Sequence, residues 1–568
     1  MLLLPLLALL LPLALADQLV FSRQPWLLPS DFDSFGDSLV REWGVPGVAV
    51  GVVKVGDGGK TTTDFHSFGS AGKGRKVDED TLFGIASNSK AFTAAAVGQL
   101  VHQGRISWTD KVHDLLPDFQ LQDHHEASYR SGETTAELLE RLRYLRPSAE
   151  LRETWHLMFG TAAHLVSNLT SRSFTSHVAS TIFHPLNMTS TSYAPHPSPD
   201  LVSRLSASYL TLENGTAVEI PYGFNFSRED LEFNAGAGGV VSSTRDMVKW
   251  VELLIRQRQA SRKGNTPSPL DSVLAPATIR ALSTPRSIVQ PEPSYPFLSP
   301  TLYGMGLMLT SYNGSEYIYH GGSIPGFGSQ VAWSSDLGVG VVVLCNTDGT
   351  GNAVSDILAY RAFDNLLNRP ALDWNKHYHT LATADRNASH AALQHAHEHK
   401  EAKVPPSLPE EAYLGRYADA GYGSVTLCAY PPPPSSSLLS PPAERAAPES
   451  CAALYARLAL STPFHSPQPP DFPSPVFLLS QPGFFGMSHV LLRHFNGSEW
   501  RDARGSVFDG TKTGEGGKWV RYAEADEVRV RFVSEGEGVR GMEMSGVWGA
   551  GAGVEEEEGR IEVVFERV

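Results

Sequence analysis

Apolar residues in this chain follow two rhythms. Helical spacing runs through 31–43, through the Ala-rich stretch after Ser87 (Phe92, Val97, Leu100, Val101), and through 156–170, 174–186, 244–255 and 353–367. Shorter helices are predicted over 110–116 and 136–145. Apolar runs bounded by turn residues predict strands at 45–55, 61–68, 316–320, 329–334 and 338–345, with Asp336-Leu-Gly joining the last two. Strands near both ends of this region enclose a block of helices. The arrangement predicts an α+β domain built on one antiparallel sheet, over residues 17–375. Residues 256–300, rich in Pro, Ser and Arg, read as a long surface excursion. A helical linker is expected over 376–405. From 406 to 568 the pattern changes to short alternating strands near 413–417, 423–428, 490–493 and 527–532. Gly- and Pro-rich loops part them, which predicts a small all-β sandwich or barrel.

A length of 568 residues suits two domains rather than one core. The formal charge of −15 argues against a nucleic-acid partner, which calls for a basic stripe. Residues 1–16 are almost all Leu, Ala and Pro and end in Ala14-Leu15-Ala16, a small-x-small cleavage pattern. They read as a secretory signal peptide, too short and Pro-broken for a membrane anchor. No later stretch is apolar enough to span a bilayer. Asn168, Asn187, Asn214, Asn225, Asn313, Asn387 and Asn496 each begin an Asn-x-Ser/Thr sequon, which fits a secreted, extracellular glycoprotein. Of the three cysteines, Cys428 and Cys451 flank a Pro/Ser-rich excursion and are candidates for a disulfide. Cys345 ends a Val-rich run and reads as a buried apolar residue. His390, His395, His397 and His399 lie in a polar, Ala-rich helix, read as solvated linker rather than a metal site. No Cys/His spacing resembles a zinc site, and no metal or cofactor is implied.

Two stretches carry candidate chemistry. Ser87 stands where the Ala-rich helix begins, and Lys90 follows one turn later on the same face. A serine hydroxyl is a weak nucleophile at neutral pH; an adjacent amine can take its proton, and the helix start favours developing negative charge. Ser70-Ala-Gly-Lys73 has the same spacing, but in a Gly-rich turn that fixes neither side chain, and it reads as a loop. The second stretch is Tyr319-His320-Gly321-Gly322-Ser323-Ile-Pro-Gly326, at the end of a strand. Its glycines let backbone approach a ligand closely, beside a histidine and exposed N–H groups. The bland reading of each is an ordinary helix start and a Gly-rich hairpin.

Four segments together resemble the serine beta-lactamase-related family, which includes class C beta-lactamases, D-Ala-D-Ala carboxypeptidases and related esterases. They are Phe83-Gly-Ile-Ala-Ser-Asn-Ser-Lys-Ala-Phe-Thr, His184-Pro-Leu-Asn-Met-Thr-Ser-Thr-Ser, the loop Asn234-Ala-Gly-Ala-Gly-Gly-Val-Val-Ser-Ser with Asp246, and the His320 stretch. The resemblance covers roughly 31–370 and implies that fold. It implies acyl-enzyme chemistry on a small-molecule or peptide amide or ester, with Ser87 as nucleophile and Lys90 as its proton partner. His320-Gly321-Gly322 would stand for the family's Lys-Thr-Gly motif, and the backbone N–H groups of Ser87 and Ser323 would form the oxyanion hole. The family's second motif, Tyr-x-Asn, occurs nowhere in the chain. Ser311-Tyr-Asn313 fits a looser form but reads as a hairpin turn. Loss of such a proton relay costs about 10²–10⁴-fold in rate. Three explanations are open: a missing piece of sequence near 125–157, an impaired member that binds without turning substrate over, or His156 serving as base. An α/β-hydrolase, the other fold in which His-Gly-Gly marks an oxyanion loop, lacks support because no Gly-x-Ser-x-Gly occurs.

Overall fold

The computed structural model describes residues 22–23, 27–117, 119, 135–141, 144, 156–193, 199–211, 215–220, 222, 235–263, 267–398, 404–430, 451, 476–480, 489–497, 499–508, 520–536, 538–545, 561 and 563–568. The chain falls into two compact units, 1–117 with 156–379, and 118–155 with 380–568. The helix Thr135–Arg141, expected within the first region, groups with the second unit, where Arg141 hydrogen-bonds the carbonyl of Gly421.

The first unit is built on a ten-stranded sheet. Its spatial order is Ser22–Arg23, Thr61–Gly72, Gly47–Val55, Val339–Cys345, Phe327–Ser334, Ser315–Ile324, Met308–Tyr312, Thr301–Tyr303 and Ser287–Gln290, with Arg75–Lys76 off the path. All pairs are antiparallel except the first. Strands from both ends of the unit therefore share one sheet, as the pattern predicted. Val339–Cys345 is buried along its whole length because helices cover both faces. A Cβ at Gly340 would touch Val251 of the helix Thr244–Lys263, whereas Cys345 meets Ser355 of the helix Thr350–Leu366. A strand covered twice has no polar face, which is why this run reads Val-Gly-Val-Val-Val-Leu-Cys.

The region read as a surface excursion is largely structured. The helix from Thr244 continues to Lys263, since Arg and Gln are good helix formers and Arg256 pairs with Glu252 one turn back at 2.7 Å. Leu270, Val273, Leu274, Ile279 and Leu282 are then buried in the turn and helix that follow, Pro269–Ser272 and Pro276–Leu282. Ser70 also departs from the loop reading. It lies in the strand Thr61–Gly72, with Lys73 in the hairpin beyond, and its hydroxyl donates to the carbonyl of Arg75 at 3.1 Å.

The second unit holds a closed antiparallel barrel of eight strands, from Gly415–Asp419 to Val563–Arg567, each paired with its sequence neighbour and the last with the first. Tyr413, Tyr417, Phe477, Trp500, Phe532 and Phe565 are buried there. A disulfide joins Cys428 and Cys451. The helix Trp374–Glu398 occupies much of the expected linker; the side chains of His390, His395 and His397, and all of His399, lie outside the described residues. No described helix is long and apolar enough to cross a membrane.

Candidate active site

Ser87 lies in a short 3₁₀ turn, Ala86–Ser89, that runs into the buried helix Lys90–His102. It caps nothing; the turn presents it instead, half-buried, at the helix start. Lys90 Nζ donates to Ser87 Oγ at 2.7 Å and to the carbonyl of Ala237 at 3.1 Å. The ammonium also sits 5.7 Å from the Phe159 ring centroid. Lys90 is buried, so the ammonium is screened little from its hydroxyl partner.

The Gly-rich loop buttresses this helix. Ala237 takes the lysine, Gly236 accepts from Thr93 Oγ1 at 2.7 Å, and the Val240 N–H donates to Ser89 Oγ at 3.1 Å. Asp246 fixes the next segment, accepting from the Ser190 N–H at 2.7 Å and from Thr191 Oγ1 at 3.0 Å. That gives Asp246 and the 184–192 run a structural task beneath the site.

Facing the Ser87 turn is the strand Ser315–Ile324. Its pairing with Met308–Tyr312 ends at Tyr319, and its pairing with Phe327–Ser334 continues to Ile324. A Cβ on Gly322 would lie 2.4 Å from the Ile85 carbonyl and 3.2 Å from the Ala86 Cβ, so only glycine lets strand and turn meet. His320, two residues earlier, faces the same side. Its Nδ1 donates to the Gly321 carbonyl at 2.5 Å, and its Nε2 lies 3.3 Å from Tyr303 Oη. Burial, then the charge of Lys90, push its pKa down to about 4, so the ring is neutral near pH 7. Ser323 is exposed, and its hydroxyl accepts from Asn352 Nδ2 at 2.9 Å.

Ser87, Lys90, His320, Gly321 and Gly322 thus gather around one turn and one strand end, with Ser323 next along the edge. Ser311-Tyr-Asn313 forms the expected hairpin, with Asn313 in the left-handed region at φ 47°. His156 starts the helix His156–Thr170; its side chain, and all of Asn234, lie outside the described residues.

The Beta-lactamase family model matches residues 32–364, more than half of the chain. The chain belongs to the beta-lactamase family. Among similar proteins, the Unguisins hydrolase ungD of Aspergillus violaceofuscus is 28% identical over 454 residues, covering 70% of this chain and 76% of that protein. Unguisins hydrolase ungD' of Aspergillus campestris is 27% identical over 449 residues, covering 70% of this chain and 78% of its own. A solved class C beta lactamase from Rhodobacter sphaeroides is 20% identical with a TM-score of 0.45, covering 60% of this chain and 99% of that one. As a member of the beta-lactamase family the chain carries a hydrolase-like fold, and the eight-stranded barrel follows it in sequence.

Sequence reasoning missed three site residues. Tyr303 touches His320; Asn88 and Ser329 join each other at 2.9 Å next to Ser87. Asn88 was in view between Ser87 and Lys90. Nothing in the sequence pairs Tyr303 or Ser329 with the site, because those contacts come from strand register.

Proposed function

We propose that this protein is a serine hydrolase that forms an acyl-enzyme on Ser87 from an amide or ester. The observation that carries the reading is the 2.7 Å contact between Lys90 Nζ and Ser87 Oγ beside a glycine strand edge. Lys90 first gives up one ammonium proton to solvent; Ser87 Oγ then attacks the carbonyl carbon, the Lys90 amine takes the hydroxyl proton, and that proton departs with the leaving amine or alcohol. Water then cleaves the ester and restores Ser87. The N–H groups of Ser87 and Ser323 are suited to hold the oxyanion. His320 serves this site as a neutral hydrogen-bonding group, not as a charge. The kinship with proteins named Unguisins hydrolases supports hydrolysis as the reaction class.

A fluorophosphonate probe followed by peptide mapping tests the reading. Label on Ser87, lost in Ser87→Ala together with hydrolysis of a chromogenic ester, is the expected result. Folded protein without label overturns it and favours the second reading, a binding protein that keeps the fold without turning substrate over. The missing Tyr-x-Asn motivates that alternative. We also infer export as a glycoprotein, supported by the apolar leader and by exposed Asn168, Asn187, Asn313 and Asn387. Secreted protein beginning at Asp17 and shifted in mass by N-glycosidase is expected; intracellular, unmodified protein overturns it.

A further inference from the structure

We infer that Ser329 is a positioning residue for this reaction: its buried hydroxyl clamps the turn on both sides of Ser87. The inference rests on the reading of Ser87 as the acylated residue.

Ser329 lies on the strand Phe327–Ser334, directly across from Gly322. Its Oγ donates to the Ile85 carbonyl at 2.9 Å and accepts from Asn88 Nδ2 at 2.9 Å. The directions are fixed by chemistry, because a carbonyl only accepts and an amide nitrogen only donates. One hydroxyl hydrogen and one lone pair therefore serve two residues that flank the nucleophile. Ser329 and Asn88 are 3% and 4% exposed, so water does not compete for either bond.

The turn needs such holding. Ala86 has φ 48°, a left-handed conformation costing about 1–3 kcal/mol for a residue with a Cβ. The peptide between Ile85 and Ala86 lies on one side of that torsion. The peptide between Ala86 and Ser87, which carries the Ser87 N–H, lies on the other. Ser329 fixes the first through the Ile85 carbonyl, and the Ile85 N–H donates to Val240 at 3.0 Å. It fixes the segment beyond through Asn88. With both sides held, the left-handed torsion cannot relax, and Ser87 keeps the aim of its N–H and its Oγ.

Gly322 completes the arrangement. A Cβ there would come within 2.4 Å of Ser329 Oγ and of the Ile85 carbonyl. The bare glycine leaves space for the hydroxyl to cross from the second strand to the turn. The clamp thus sets the strand edge and the nucleophile at one distance. Acyl transfer is sensitive to that distance, since a 1 Å misplacement costs about 10²-fold.

The test uses the full-length protein and compares wild type with Ser329→Ala and Asn88→Ala. Fluorophosphonate labelling of Ser87 and steady-state hydrolysis of one chromogenic ester are the readouts, with near-UV circular dichroism to check folding. Ser329→Ala is expected to label about 10- to 100-fold slower, with kcat falling and KM little changed. A residue that only packs the core would leave that split absent. Asn88→Ala is expected to slow labelling too. The double variant should lose less than the product of the two single losses, because the residues act through one network. Folded Ser329→Ala labelled at the wild-type rate overturns the inference. If Ser329→Ala does not fold, folded Asn88→Ala at the wild-type rate overturns it instead. Folded wild type that takes no label refutes the acylation reading itself, and the inference falls with it.

Discussion

Tyr303 donates its hydroxyl hydrogen to His320 across 3.3 Å. The direction follows from the other ring nitrogen: Nδ1 lies 2.5 Å from the Gly321 carbonyl, which only accepts, so Nδ1 carries the hydrogen and Nε2 is bare. Both residues are buried. A bond to the neutral form disfavours protonation, in line with burial and the charge of Lys90, which hold the pKa near about 4.

His320 should therefore stay neutral above about pH 5. Because its folded pKa lies below the ordinary 6.5, the unfolded chain binds more protons between the two values. This group's contribution is undiminished above pH 6.5, and stability falls as pH drops from there toward 4. Tyr303→Phe removes the donor and should raise the imidazole midpoint, with Lys90 and Tyr319 still alongside. Imidazole titration by NMR checks both statements, and a wild-type midpoint near 6.5 would refute them.

Adjacent glycines should behave differently. Gly321→Ala places its Cβ 3.5 Å from Gln330 Oε1, ordinary contact, and should be tolerated. Gly322→Ala meets a carbonyl and a hydroxyl at 2.4 Å and must push strand and turn apart. Ser87 labelling should fall by about 10²-fold or more in Gly322→Ala and little in Gly321→Ala. Equal rates for the two would count against the close approach.

The sequence made the site's two halves legible for a physical reason. Ser87 and Lys90 are one turn apart, so local geometry alone brings them together, and His320 shares its strand with Gly322. The burial of Cys345 was also readable, from the apolar run that it ends. Contacts that cross between strands were not. Ser329 meets Asn88 across 241 positions, and only the pairing of Gly322 with Ser329 specifies it. The helix beyond Ile255 was hidden by the Arg-rich composition of a segment whose buried face, at Leu270, Leu274 and Ile279, lies further on.

His66 links the first helix to the sheet. Its Nδ1 lies 2.6 Å from Asp33 on the helix Asp31–Glu42, and its Nε2 lies 3.3 Å from Asp64 on its own strand. Burial opposes its charge, but Asp64 and Asp33 outweigh burial and raise its pKa. Stability from this group is complete below its unfolded pKa and is lost as pH rises through the folded one. Asp64 is lowered: burial works against it, and His66 with the Leu27 and Phe65 N–H groups prevails, so its share is lost in acid. The helix contact should be firmest between those limits. Urea unfolding across pH should show Asp64→Asn costing about 1–3 kcal/mol and exposed Asp33→Asn under about 1. A pH-independent difference would refute the charge pairing.

The disulfide should matter to the barrel as a constraint on its unfolded chain. Cys428 and Cys451 are 23 positions apart, and their bridge closes a loop rich in Pro and Ser. Closing a loop of this size restricts the unfolded ensemble by about 3 kcal/mol. Cys345 is buried against Ser355, and burial pushes its pKa up to about 12, so it stays a thiol and is a poor partner for exchange. Cys451→Ser, or mild reductant, should therefore lower the melting temperature of the barrel without new disulfide species. Thermal melts followed by near-UV circular dichroism, with and without reductant, measure the loss. Unchanged barrel stability on reduction would mean that the loop is already restricted in the unfolded chain.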